Sequence, residues 1–278
     1  MLIDTHAHVN FSAYKNDSDE VIRRSLDGNV FMINIGSQYN TSQRAVKMAK
    51  KYEKGVYAAV GLHPIHLASG IFKTKIDTEE TSFGTREEDF DYEKYKAIAE
   101  SSKVVAVGEI GLDYYYRPKT KTKLNVFKEK QKAIFLKQLG LAQELNLPVI
   151  FHCRMAHADL IEILNSKIKN QNAKLCGVIH CFTGNLEQAK SYLDMGFYLG
   201  FNGIIFKFDC DEVIKNTPPE RILLETDCPY LTPPQESGRN EPLYVRYVAE
   251  RIANLKNLSH EEIENITAQN AKKLFKIS

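Results

Sequence analysis

The feature that most constrains this chain is an alternation: short runs apolar on both faces, separated by longer segments whose apolar residues recur at helical spacing. Runs rich in Val, Ile and Phe lie at 2–9, 30–36, 56–62, 104–112, 148–154, 175–182, 198–206 and 222–231. Amphipathic stretches separate them, among them 18–26, 41–52, 127–146 and 186–195, and helices at 243–255 and 261–275 finish the chain. Asp17, Ser18 and Asn185 are candidate caps, and Pro148 stops whatever helix ends near Asn146. A strand apolar on both faces must be covered on both sides, which a parallel sheet flanked by helices achieves. Eight such units predict a single (β/α)8 TIM barrel over residues 1–278, with a doubly wound open sheet as the alternative.

Composition narrows the partners and the compartment. A net charge of +2 excludes a globally basic coat, so an anionic partner must be held by local groups or metals. The five cysteines, Cys153, Cys176, Cys181, Cys210 and Cys228, form no Cys-x-x-Cys pair and mostly sit in apolar runs, as reduced thiols do. Met1 leads directly into the first strand, and no apolar run approaches the roughly 18 residues of a membrane helix. A reducing cytoplasm is therefore expected.

Two connections break the pattern. The stretch 67–91 is long, polar and acidic, with Asp77, Glu79, Glu80, Glu87, Glu88 and Asp89, and reads as an insertion at the barrel mouth. The stretch 114–123 opens with Tyr114-Tyr-Tyr and continues into Arg117, Lys119, Lys121 and Lys123. It reads either as a solvated basic loop or as a single-stranded nucleic-acid surface, with rings for bases and cations for phosphates.

Charge does not belong in a strand buried on both faces, so polar residues at the ends of these runs need a reason. His6 and His8 share one side of the first strand, as ligands or as a partly exposed strand end. His63 follows on the third strand, Glu109 on the fourth, His152 and Arg154 on the fifth, His180 on the sixth and Asp227 on the eighth. Each stands near the C-terminal end of its strand, where barrel enzymes place their chemistry, and five of the eight histidines are used there. Imidazoles and carboxylates together suit Zn, Mn, Co or Ni, with Mg possible if waters complete its shell. So many ligands exceed one open site, which points to two divalent ions bridged by Glu109, with Asp227 both ligand and proton acceptor.

The series Asp4-Thr-His-Ala-His8, Gly61-Leu-His-Pro64, Gly108-Glu-Ile-Gly-Leu-Asp-Tyr114, His152-x-Arg154, His180-Cys-Phe-Thr-Gly184, Glu225-Thr-Asp-x-Pro229 and Arg239-Asn-Glu-Pro242 resembles that of the TatD family of metal-dependent deoxyribonucleases. The closing Asn270-Ala-x-x-Leu-Phe275 is similar to the family's usual end. The resemblance implies a metal-dependent hydrolase barrel, two divalent cations, and cleavage of DNA phosphodiesters at single-stranded or 3′ ends, often as a 3′ to 5′ exonuclease. It implies that His6, His8, Glu109 and Asp227 hold one ion, that Glu109, His152 and His180 hold the second, and that Asp227 is the base. His63, Arg154 and Arg239 fall at substrate-contact positions, although either arginine could equally be an ion-pair partner. Tyr114 joins the substrate surface, and Glu225 either binds substrate or orients a ligand.

The chain departs from the family pattern at Met155, where an acidic residue is common, and at 235–238, which lacks a basic residue often found there. The alternative function is hydrolysis of an amide, lactone or phosphotriester on the same scaffold; those relatives often bridge metals with a carboxylated lysine where this chain has Glu109. A barrel that binds without catalysis is the third reading.

Overall fold

The computed structural model describes residues 1–67, 88–171 and 174–278. Its sheet has eight strands, β1 (Leu2–Ala7), β2 (Val30–Ile35), β3 (Val56–Val60), β4 (Val104–Asp113), β5 (Val149–Arg154), β6 (Gly177–Ile179), β7 (Tyr198–Phe201) and β8 (Ile222–Leu224). They run in sequence order, every neighbouring pair parallel. The ends meet through a parallel bridge between Ala7 and Cys228, where the His8 N–H donates to Cys228 O (2.9 Å) and the Asp227 N–H to His6 O (2.8 Å). This is the (β/α)8 barrel expected, and the open sheet is excluded.

Helices cover the outside: α1 (Ser18–Asp27), α2 (Tyr39–Ala49), α3 (Tyr92–Ala99), α4 (Lys121–Glu144), α5 (His157–Gln171), α6 (Leu186–Asp194), α7 (Asp211–Asn216), α8 (Val245–Lys256) and α9 (His260–Phe275). Among the described residues, none is long and apolar enough to cross a membrane. Alternation along each strand builds two cores. Ala7, Met32, Ala58 and Val60 face outward onto Val21, Ile22, Ala45 and Val46 of α1 and α2. Ile3, Ile33, Val105, Ile150, Val178 and Leu223 join the cluster closed by Ala271, Leu274 and Phe275 of α9, at the end where the strands begin. Apolar packing thus fills that end and leaves the opposite mouth to polar groups.

Several boundaries differ from the sequence reading. β6 and β8 stop at Ile179 and Leu224, so His180 and Asp227 stand just past their strands. The expected seventh run divides into β7 and a 3-10 turn, Gly203–Phe206, which Asn202 starts by accepting from the Ile204 N–H. α4 begins at Lys121, so the end of the expected basic loop is helical. Asn185 caps α6 by accepting from the Gln188 N–H (2.9 Å). Asp17 occupies the cap position of α1 without a side-chain bond to the helix N–H groups, because Arg239 holds its carboxylate. The expected insertion lies outside the described residues over 68–87. On its far side Glu88 accepts from the Tyr95 hydroxyl (2.7 Å) and the Tyr39 N–H, and Asp91 caps α3.

Candidate metal centre

Glu109 lies at the middle of the mouth. Its Oε1 is 2.5 Å from His152 Nδ1, 3.5 Å from His63 Nε2 and 3.7 Å from His180 Nε2, and its Oε2 is 3.4 Å from His6 Nε2. Four strands or strand ends therefore aim an imidazole at one carboxylate. Asp227 faces the other side of the cluster, 3.4 Å from His8 Nε2, 3.8 Å from His6 Nε2 and 3.9 Å from His180 Nε2. His6 and His8 do share a side of β1, their Nε2 atoms 3.1 Å apart.

The outward nitrogens of four of these rings are held by the scaffold. His8 Nδ1 is 3.0 Å from Ile35 O, and His63 Nδ1 accepts from the Ile65 N–H (3.0 Å). His152 Nε2 is 3.1 Å from Asp113 Oδ2, and His180 Nδ1 is 2.9 Å from Glu225 Oε1. A carboxylate behind an imidazole fixes its tautomer and leaves the opposite nitrogen as a ligand. Glu225 is itself locked, accepting from the Cys181 N–H (2.7 Å) and Asn202 Nδ2 (3.0 Å). It lies against His180, fully buried and outside the cavity lining.

Charge in the cluster is strained in both directions. Burial would raise Glu109, but His63, His152, His180 and His6 hold its carboxyl well below the usual carboxylate range. Burial likewise opposes ionisation of Asp227, and His180, His8 and His6 again prevail and lower it. His152 is lifted to about 10 against burial, mainly by Glu109 and Asp113, and His180 to about 9 by Glu225, Glu109 and Asp227. His6 goes the other way: burial and the stacked His180 lower it to about 4, which leaves a neutral imidazole. Among the described residues no lysine or arginine pairs with Glu109 or Asp227.

Buried carboxylates answered only by imidazoles, with His6 Nδ1 lacking a partner, make a donor set that fits divalent cations. Three of the candidate groups, each with donor atoms within 4.8 Å, are His6–His8–Asp227, His6–Glu109–His180 and His63–Asp113–His152. A fourth, His180–Cys181–Asp227, brings in a thiol that the sequence reading left out. Burial pushes that thiol well above its ordinary value, and it donates to Asn202 Oδ1 (3.6 Å).

Above the cluster is a cavity of about 360 Å³, lined by His63, Glu109, Asp113, His152, His180 and Asp227 below and by Phe11, Tyr116, Arg154 and Leu231 nearer the rim. Arg154 thus shares one cavity with the clustered imidazoles and carboxylates. Two other expected contacts, Tyr114 and Arg239, are not among the lining residues. Tyr114 is buried, its hydroxyl donating to Asp159 (2.8 Å), because alternation along β4 that points Asp113 inward turns the next ring outward. Arg239 binds Asp17 through both terminal nitrogens (3.0 and 2.6 Å), donates to Ala13 O and lies 4.0 Å over the Tyr14 ring. It braces the loop after β8 against the start of α1.

Asp113 and Asp4 carry no role in the sequence reading. Asp113 shares the strand parity of Glu109, a signal that was available. Asp4 accepts from the Thr226 N–H (2.9 Å) and hydroxyl (2.5 Å) and so fixes the segment carrying Asp227; burial raises its carboxyl to about 8 despite those bonds.

The family model described as TatD related DNase matches residues 3–276. The chain belongs to that family. It is 41% identical to the uncharacterized metal-dependent hydrolase YabD of Bacillus subtilis, over 100% of both chains. It is 31% identical to the 3′-5′ ssDNA/RNA exonuclease TatD of Pantoea ananatis, over 99% of each. Among solved structures, the TatD homolog YJJV of Escherichia coli K12 superposes with a TM-score of 0.80 at 28% identity, covering 100% of this chain and 98% of that one. The family resemblance and the fold read from the sequence are both borne out.

Proposed function

We propose that this TatD-family hydrolase cleaves phosphodiester bonds at the 3′ end of single-stranded DNA with two divalent ions. The observation that carries this reading is the convergence of buried imidazoles on Glu109 and Asp227 beneath a cavity that Arg154 borders. In this reading His6, His8 and Asp227 would hold one ion, His152 and His180 would hold the second, and Glu109 would serve as a ligand shared by the two. When bound, two such ions supply the positive charge that acidifies a water and neutralises a departing oxygen.

The chain's own groups then divide the work. Asp227, lowered and deprotonated at neutral pH, accepts the proton of the attacking water on Oδ1 or Oδ2. Its side chain is 17% exposed against 6% for Glu109, so it is the more open of the two to water. Asp113 and Glu225 hold the His152 and His180 rings in place. Arg154, with no carboxylate partner among the described residues, binds a phosphate of the substrate. The name of the Pantoea relative, an ssDNA/RNA exonuclease, supports this substrate class, and a cavity of about 360 Å³ holds a single nucleotide better than a duplex end.

Single-stranded, double-stranded and 3′-blocked DNA incubated with Mg, Mn or Zn separately will test it. Free 3′ single strands should shorten and chelation should stop the reaction. Metal-loaded protein that leaves all three intact while hydrolysing an amide, lactone or phosphotriester would replace the substrate assignment.

A further inference from the structure

We infer that Tyr116 and the Tyr115–Arg154 stack form a subsite for the nucleotide adjoining the scissile bond, and that this subsite selects unpaired strands; the inference rests on the nucleic-acid reading above. The Arg154 guanidinium lies 3.7 Å from the Tyr115 ring centroid and 5.7 Å from that of Tyr116. The two rings meet edge to face at 4.8 Å. Tyr115 is 49% exposed and Tyr116 38%, and Tyr116 and Arg154 both line the cavity over the candidate metal donors. Large aromatic side chains left open at a cavity rim add nothing to the core.

The arrangement is held in place by the backbone. Asp113 pairs with Arg154 in the β4–β5 register, and the Tyr114 N–H donates to Arg154 O (2.9 Å). The Tyr115 N–H donates to Asp113 Oδ1 (2.8 Å), while Oδ2 of the same carboxylate meets His152 Nε2 (3.1 Å). One side chain thus ties the rim turn to a metal donor, which fixes the subsite relative to the reacting phosphate.

The chemistry follows from what each group leaves open. Tyr115 has one face covered by the guanidinium and serves as its prop. Arg154 has a fixed plane and no acid against it among the described residues, so its N–H edges are free for a phosphate in the two-point geometry that lysine cannot reproduce. Tyr116 supplies the ring on which a base stacks, an interaction every base can make. A paired base must first be unpaired and turned out of the duplex before it can lie on this ring, at a free-energy cost that an unpaired base avoids, so the subsite favours single strands. Beyond it, Arg117, Lys119, Lys121 and Lys123 form no ion pair among the described residues and continue the cationic path from the mouth to the start of α4.

The test compares Tyr116→Ala and Tyr116→Phe on two diesters, an oligothymidylate of about ten nucleotides and a small diester made of two abasic deoxyriboses joined by one phosphate, which has no aromatic ring to stack. Tyr116→Ala should lower kcat/KM for the oligonucleotide about tenfold relative to the small diester, chiefly through KM, and Tyr116→Phe should restore it. Arg154→Lys should likewise weaken the oligonucleotide more than the small diester. Loss of the same size on both substrates, or none on either, overturns the subsite. If neither diester is cleaved, the functional reading fails by itself. Fluorescence anisotropy of the labelled oligonucleotide then decides separately: about tenfold weaker binding by Tyr116→Ala supports the subsite, and equal binding, or no binding by the unaltered protein, overturns it.

Discussion

Replacing Asp227 by asparagine separates the two duties assigned to it. Asparagine keeps the volume and one oxygen, so the 3.4 Å contact to His8 and the 3.9 Å contact to His180 can persist while the charge and the proton-accepting oxygen disappear. A group positioned for general base catalysis contributes about a hundred- to ten-thousand-fold, equivalent to roughly 2.7 to 5.4 kcal/mol of barrier. The ligand duty shows as weaker metal binding, and saturating metal compensates for it. The base duty shows as kcat that added metal does not restore. Steady-state hydrolysis of single-stranded DNA across a metal titration, together with circular dichroism to confirm the fold, measures both. The carboxyl lies below its ordinary 3.8, so it is a competent base well into acid. Activity lost as the pH falls through the mildly acid range must then come from groups other than Asp227. A variant whose kcat at saturating metal comes within tenfold of the parent protein, on the scale of that hundredfold minimum, would refute the base assignment and leave Asp227 a ligand only.

Three further outcomes are expected. Glu109→Gln should reduce the affinity of both ions, because four imidazoles face this one carboxylate, whereas His6→Ala should weaken one more than the other; equal losses in metal titrations of the two variants would contradict the shared-ligand arrangement. His152 and His180, raised to about 10 and 9, keep their protons in the metal-free protein until pH rises through those values. Metal binding near neutral pH should therefore expel about two protons and strengthen as pH increases, which calorimetry in buffers of different ionisation enthalpy detects; release near zero would count against it. Arg239→Ala should cost about 1–2 kcal/mol, since its pairing with Asp17 is only partly exposed, and lower Tm by about 2–4 °C per kcal/mol while kcat is retained. A large fall in kcat with unchanged Tm would return Arg239 to the substrate surface.

Much of the fold was legible because its signals are local. Eight doubly apolar runs carry the parallel barrel, and strand parity alone brings His6 beside His8 and would have brought Asp113 beside Glu109. Histidines and carboxylates at strand ends marked the mouth because burying them without a shared purpose would be costly. The limits of β6 and β8 were not legible, since an apolar run does not record where backbone pairing stops, and His180 and Asp227 follow immediately after that point.

What the chain alone determined, then, is the order of elements, the mouth and the residue types gathered there. Tertiary structure decided which polar groups turn inward and which are engaged elsewhere. Arg239 and Arg154 both occupy motif positions, yet one is held by Asp17 from far along the chain and the other rests on Tyr115 with its donors open. Three consecutive tyrosines look alike in sequence. In the barrel Tyr114 is packed outward with its hydroxyl on Asp159, and Tyr116 borders the cavity. The physical reason is the same in each case: residue type sets what a group can bind, whereas the partners it meets depend on contacts between segments distant in sequence, which exist only once the barrel has closed.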